Sequence, residues 1–231
     1  MPTLHIHPYN EVSLLLQFPG QTLADAHKNV QQWYAYVKQH CMHWIIDLVP
    51  AYESLLIVCK NPSDMQALYD EIAEKTINKE SENAIVHNEP ILIPVCYDVA
   101  LGNDLEAMVA YHKISIDKIV TFHLQNIYHV YMLGFLPGFA YMGEVDTRIA
   151  TPRKPSPVPT HAGAVGIAGK QTGIYPVDSP GGWHIVGYTP MKLFDVQNAS
   201  PSLLQPGQMV KFSPIDVDTY HSFHNNRHGN Y

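Results

Sequence analysis

The sequence predicts an α+β chain in which a small N-terminal α/β sandwich precedes a turn-rich β-barrel. Three observations carry this prediction. The first 88 of the 231 residues contain one glycine, Gly20, and read as long periodic segments. Residues 134–190 hold ten of the 14 glycines and eight of the 18 prolines, threaded with aromatic and β-branched residues. Glycine serves where the backbone takes positive φ or approaches a partner closely, and proline where φ is fixed and an N–H is dispensable. That region therefore reads as short strands joined by obligatory turns, a barrel with a shaped rim. Between the two, NKESENAIVHNEP (78–90) is polar and breaks both periodicities, which gives domains 1–84 and 85–231.

In the first domain, residues 3–7 and 12–18 read as strands. Thr22 with Asp25 makes a capping-box start for a helix to about residue 39, with Val30, Trp33, Tyr34 and Val37 on one face. WIIDLVP (44–50) and SLLIVC (54–59) have strand length, and Asn61-Pro62 opens a second helix whose stripe is Met65, Leu68, Tyr69 and Ile72. The order predicts an open sheet with helices on one face. In the second domain, ILIPVCYD opens as a strand, and two short helices follow, capped by Asn103 and Ser115. IYHVYMLGF leads into the turn-rich region, and QPGQMVKF gives a turn into a last strand. The tail DTYHSFHNNRHGNY is polar and reads as frayed.

Composition excludes several classes of function. A formal net charge of −7 with 14 Lys+Arg leaves no clustered basic face for nucleic acid. With no run of 18 apolar residues and no signal-like N-terminus, no membrane association is expected and the location is expected to be cytoplasmic. Cys41, Cys59 and Cys96 read as reduced, buried thiols. The His5/His7, His40/His43 and His221/His224/His228 groups lack the spacing of a zinc site, so no metal ligands are assigned to them. GAVGIAGKQT resembles a phosphate loop only superficially. Ala164 stands where the first glycine belongs and Gln171 follows Lys170, so a strand and turn with Val165 and Ile167 inward is the better reading. No nucleophile elbow is present.

Asp98, Asp146, Arg153, Lys154, Lys170, Gln171, Tyr175 and His184 fall around Phe135, Phe139, Tyr141 and Trp183, the make-up of a small-ligand pocket. Gly181-Gly182 before Trp183 is either a hairpin turn or a place where backbone N–H groups face an anion.

GFLPGFAYMG, Asp146, TPRKPSP, GAVGIAGKQTGIYP and SPGGWHIVGYTP, in that order, resemble the family of B subunits of bacterial ATP-dependent 5-oxoprolinase. This family is also called allophanate hydrolase subunit 1, and it includes an inhibitor of a sporulation histidine kinase. PAYESLLIVC, IPVCYD, GNDLEAM and LLQPGQMVKF extend the resemblance over nearly the whole chain. It implies that the barrel is cyclophilin-like and that the chain works with the C and A subunits of 5-oxoprolinase to convert 5-oxoproline to L-glutamate with ATP and magnesium. Under it, Arg153, Lys154 and Lys170 become candidates for phosphate or substrate carboxylate. Asp98 or Asp146 would hold magnesium or accept a proton, giving Asp98, Asp146 and Arg153 as catalytic candidates. The resemblance also admits a regulator of a histidine kinase and a subunit of a urea- or allophanate-processing carboxylase or hydrolase. A stand-alone prolyl isomerase rests on fold analogy alone. One departure stands out: Val158 occupies a position where the family usually carries arginine, in a loop one residue shorter.

Overall fold

The computed structural model describes residues 4–20, 22–75, 89–101 and 103–228. The chain divides into two compact units, Met1–His87 and Asn88–Tyr231.

In the first unit, β1 (His5–Asn10), β2 (Ser13–Gln17), β3 (Ile45–Pro50) and β4 (Ser54–Cys59) form an antiparallel sheet in the order β1-β2-β4-β3. Two helices, α1 (Leu23–His40) and α2 (Pro62–Glu74), bury their stripes with it. Both begin where their capping chemistry places them. Thr22 Oγ1 accepts the Asp25 N–H at 3.1 Å, and Asn61 Oδ1 accepts the Asp64 N–H at 2.9 Å. Alternation along β2 and β4 sends Leu14, Leu16, Leu55 and Ile57 into the same core as Val30, Trp33, Leu68 and Ile72.

The second unit is built on a closed seven-stranded barrel. Its strands are β5 (Ile91–Cys96), β6 (Tyr128–Leu133), β7 (Ala140–Gly143), β9 (Ala164–Ala168), β10 (Gln171–Ile174), β12 (His184–Tyr188) and β13 (Met209–Ile215). Around the barrel they run β10-β7-β6-β13-β5-β12-β9, with β13 parallel to β5. A separate ribbon of β8 (Val158–Thr160) and β11 (Ser179–Gly181) pairs Val158 with Gly181. Along β9, Val165 and Ile167 join the barrel core, while Ala164 and Ala168 back a second cluster with Phe139, Tyr175 and Trp183. The Gly169-Lys170 pair, which in sequence resembles the end of a phosphate loop, is the two-residue turn between β9 and β10. Ala168 faces Gln171 across it, and Gly169 takes φ +58°.

Two helices, α3 (Leu105–His112) and α4 (Ile116–Gln125), contribute Leu105, Met108 and Ile119 to the barrel core. From α4 comes the core's buried histidine. His123 lies between Tyr97 Oη, 2.8 Å from Nδ1, and Thr172 Oγ1, 3.0 Å from Nε2. Thr172 donates its own hydroxyl hydrogen to Gly166 O at 3.0 Å, so it accepts from His123 Nε2–H and Nδ1 accepts from Tyr97. Every polar atom of this chain of bonds is satisfied with the imidazole neutral. Its burial lowers the imidazole pKa from 6.5 to about 3.

Helix α3 begins after Asp104, whose side chain makes no capping bond, while Asn103 Oδ1 accepts the Leu105 N–H at 3.2 Å. One expectation is corrected. The tail expected to be frayed contains α5 (Val217–His228), started by Asp216 Oδ1 accepting the Thr219 N–H at 2.7 Å, with Tyr220 buried. No described helix is long and apolar enough to cross a membrane.

Candidate functional site

The turn-rich segments meet around one cavity of about 690 Å³, within the range that holds small ligands. Its centre is Phe139, whose ring stands edge to face against Tyr141 (centroids 4.8 Å apart), Tyr175 (5.1 Å), Trp183 (5.4 Å) and Phe135 (5.6 Å). Such T-shaped contacts set the positive ring edge against a negative face, so the box is held in shape as well as buried. Tyr175 also stands edge to face against Phe135, with centroids 6.4 Å apart, which ties the rim to the box.

The rim residue Phe135 is 60% exposed. It has φ +66°, and the Leu136 N–H bonds back to Gly134 O at 2.8 Å, so Phe135 is the centre of a positive-φ γ-turn. For a residue with a side chain that turn is rare and strained, and such strain concentrates at ligand clamps.

On the opposite wall, the segment after Thr151 carries Arg153, whose guanidinium lies beside Gly182. A Cβ placed on Gly182 would sit 3.3 Å from Arg153 Nη2. Among the described residues no carboxylate pairs with this guanidinium. Gly181 has no room for a side chain: an added Cβ would lie 2.5 Å from Tyr175 Oη and 2.7 Å from Thr160 Oγ1. Ser179 also lines the cavity, and its Oγ is buried with no hydrogen-bond partner. Buried hydroxyls in folded proteins are nearly always bonded, so an orphan in a cavity wall marks a position for a ligand atom or water.

Of the sequence candidates, the structure brings Phe135, Phe139, Tyr141, Arg153, Gln171, Tyr175, Gly181, Gly182 and Trp183 to the cavity. It places five elsewhere. Lys154 Nζ pairs with Asp104 Oδ2 at 2.7 Å, and its N–H bonds to Gly182 O at 2.8 Å, so it fixes the segment that carries Arg153. Lys170 is exposed on the hairpin turn between the lining residues Gly169 and Gln171. Asp98 Oδ1 accepts the Ala100 N–H at 2.8 Å in a short turn. Asp146 is held by Arg148, whose Nε donates at 2.8 Å, and these bonds bring its carboxyl down to about 2. His184 lies behind the Trp183 wall. Its Nδ1 is buried without a partner, and burial lowers its pKa. Among the described residues no group of three or more His, Cys, Asp or Glu could hold a metal ion.

Sequence reasoning missed Ser179, although it begins the SPGG motif, and it missed Asp104. Asp104 Oδ2 also accepts the Ile185 N–H at 2.7 Å, so one carboxylate ties α3, β12 and the Arg153 segment together.

Residues 4–204 match the family described as carboxyltransferase domain, subdomain C and D. Over 229 residues the chain is 34% identical to the 5-oxoprolinase B subunit of Bacillus subtilis, covering 94% of this chain and 95% of that protein. With the 5-oxoprolinase B subunit of Haemophilus influenzae it shares 48% identity over 125 residues, 53% of this chain and 58% of the other. The crystal structure of TTHA0988 superposes with a TM-score of 0.77 at 30% identity over 88% of this chain, which spans 40% of that protein.

Proposed function

Because the chain belongs to the carboxyltransferase subdomain C and D family, among relatives that include 5-oxoprolinase B subunits, we propose that it is the B subunit of an ATP-dependent 5-oxoprolinase. Acting in the cytoplasm with the C and A subunits, it converts 5-oxoproline, ATP and two waters to L-glutamate, ADP and phosphate. Similarity to a protein of that name over almost the full length of both chains is the observation that carries this reading.

The chemistry suits a divided enzyme. A lactam is a poor electrophile, and ATP, when bound in the assembled complex, supplies the phosphoryl group that turns the ring carbonyl oxygen into a leaving group. What this chain supplies is binding and orientation. The aromatic box takes the carbon face of the lactam ring, and Arg153 offers a positive charge in the same lining. The described lining of this cavity carries no carboxylate to hold magnesium, so the ion does not fit here.

The test is oxoproline-dependent ATP hydrolysis by the chain co-purified with its partner C and A subunits. Turnover is expected only with all three present. An assembled complex that hydrolyses no ATP in response to 5-oxoproline overturns the assignment.

A further inference from the structure

We infer that the aromatic cavity is a subsite for a small ring bearing one carboxylate, with Arg153 as the carboxylate contact and Ser179 Oγ as a hydrogen-bond partner for the ring's polar edge, and that it takes no part of the nucleotide. This rests on the proposed activity for the identity of the ring and on the cavity's own chemistry for everything else.

Charge decides between the two ligands that the activity requires. A nucleoside triphosphate carries several negative charges and is held by multiple cations or by a run of backbone N–H groups. Here, among the described residues, the lining contains one cation, Arg153. The two lysines nearby are committed or displaced: Lys154 is bonded to Asp104, and Lys170 lies on the outer turn. The glycine-rich strand that could have cradled phosphate is instead paired on both sides, with β10 and β12. A single guanidinium beside an aromatic box matches a monoanion, and a planar guanidinium suits a carboxylate in bidentate geometry.

The rest of the lining fits a ring. Phe139, Tyr141, Tyr175 and Trp183 present apolar edges and faces, and the unpartnered Ser179 hydroxyl can bond the amide of a lactam. Phe135, strained and exposed at the rim, closes one side of the same box.

Titration calorimetry on the full chain, alone and in complex with its partner subunits, tests the inference with 5-oxoproline, 2-pyrrolidinone and Mg-ATP as probes. 5-Oxoproline is expected to bind. 2-Pyrrolidinone, which lacks the carboxylate, is expected to bind at least tenfold more weakly, and Mg-ATP is expected not to displace either. Removing a charge-assisted bond by Arg153→Ala should weaken 5-oxoproline about tenfold to a hundredfold while leaving 2-pyrrolidinone unchanged. Gly182→Ala, which displaces the guanidinium, should weaken it by a smaller factor, and Ser179→Ala should weaken both ring probes. Arg153→Ala binding 5-oxoproline as tightly as the parent, or Mg-ATP competing for the cavity, overturns the inference. A complex whose oxoproline-dependent ATPase responds to Arg153→Ala through the KM for ATP alone also overturns it, while leaving the proposed activity standing. Conversely, a chain that binds the ring carboxylate through Arg153 but supports no ATP turnover with its partners keeps the subsite and removes the activity.

Discussion

Phe135 shows how a single residue can trade stability for a site. Its backbone sits at φ +66° inside a three-residue turn, and its ring is mostly in solvent, so the side chain returns little burial for the strain. Replacing it with glycine relieves the turn, whereas alanine keeps the strain and loses the ring. The glycine variant should therefore be more stable than the alanine variant by about 0.5–1 kcal/mol in urea unfolding, after the greater freedom of unfolded glycine is subtracted. Both should bind 5-oxoproline more weakly than the parent. An alanine variant more stable than the glycine variant by about 0.5–1 kcal/mol would show that the turn carries no strain. Gly181 makes the opposite case, a residue whose lack of side chain is required by packing. Gly181→Ala must push its methyl into Tyr175 Oη and Thr160 Oγ1, and overpacking of this kind should cost about 1–3 kcal/mol, read from the same unfolding curves.

Among elements, the connection that matters most for the site runs through Asp104 at the start of α3. Its carboxylate accepts the N–H of buried Ile185 on β12 and pairs with partly buried Lys154, the neighbour of Arg153. Asp104→Ala orphans that N–H and frees the segment, so it should lower stability by about 1–3 kcal/mol and raise the KM for 5-oxoproline. Asp104→Asn keeps an acceptor for Ile185 and should recover most of the stability but less of the KM. A variant pair that differs in neither quantity would count against the positioning role. This connection also marks where sequence reading stops. Thr22, Asn61 and Pro62 announce their helices because capping is local, and alternation in β2, β4 and β9 announces their buried faces for the same reason. Arg153 and Lys154 are adjacent and chemically alike, yet one faces the cavity and the other an acid 50 positions earlier in the chain. Nothing in TPRKPSP tells them apart, since the choice is made by the bonds that Lys154 makes to Asp104 and to Gly182 O. The Asp216 cap of α5 is legible in principle, but the polar run after it outweighs one turn-forming aspartate.

For the molecule as a whole, the buried Tyr97–His123–Thr172 chain ties the stability of the barrel unit to pH. In the unfolded chain the imidazole takes up its proton near pH 6.5, whereas in the barrel burial holds that uptake back to about pH 3. Between those values the unfolded state binds more protons, so stability rises with pH. The contribution is complete above pH 6.5 and is lost as pH falls toward 3, with a slope approaching about 1.4 kcal/mol per pH unit. Burial also lowers the pKa values of His112, His129 and His184, which act in the same direction, so the slope of the parent protein alone does not isolate His123. The difference between parent and variant does. His123→Met removes the titrating group but leaves the Tyr97 hydroxyl without its acceptor, and adding Tyr97→Phe removes that orphan. Thr172 keeps its bond to Gly166 in both variants. Hydrogen exchange of the β9 and β10 amides between pH 4 and 7.5 should show the double variant losing about one proton's worth of pH dependence relative to the parent. An unchanged slope would mean that His123 is not the group through which acid opens the barrel.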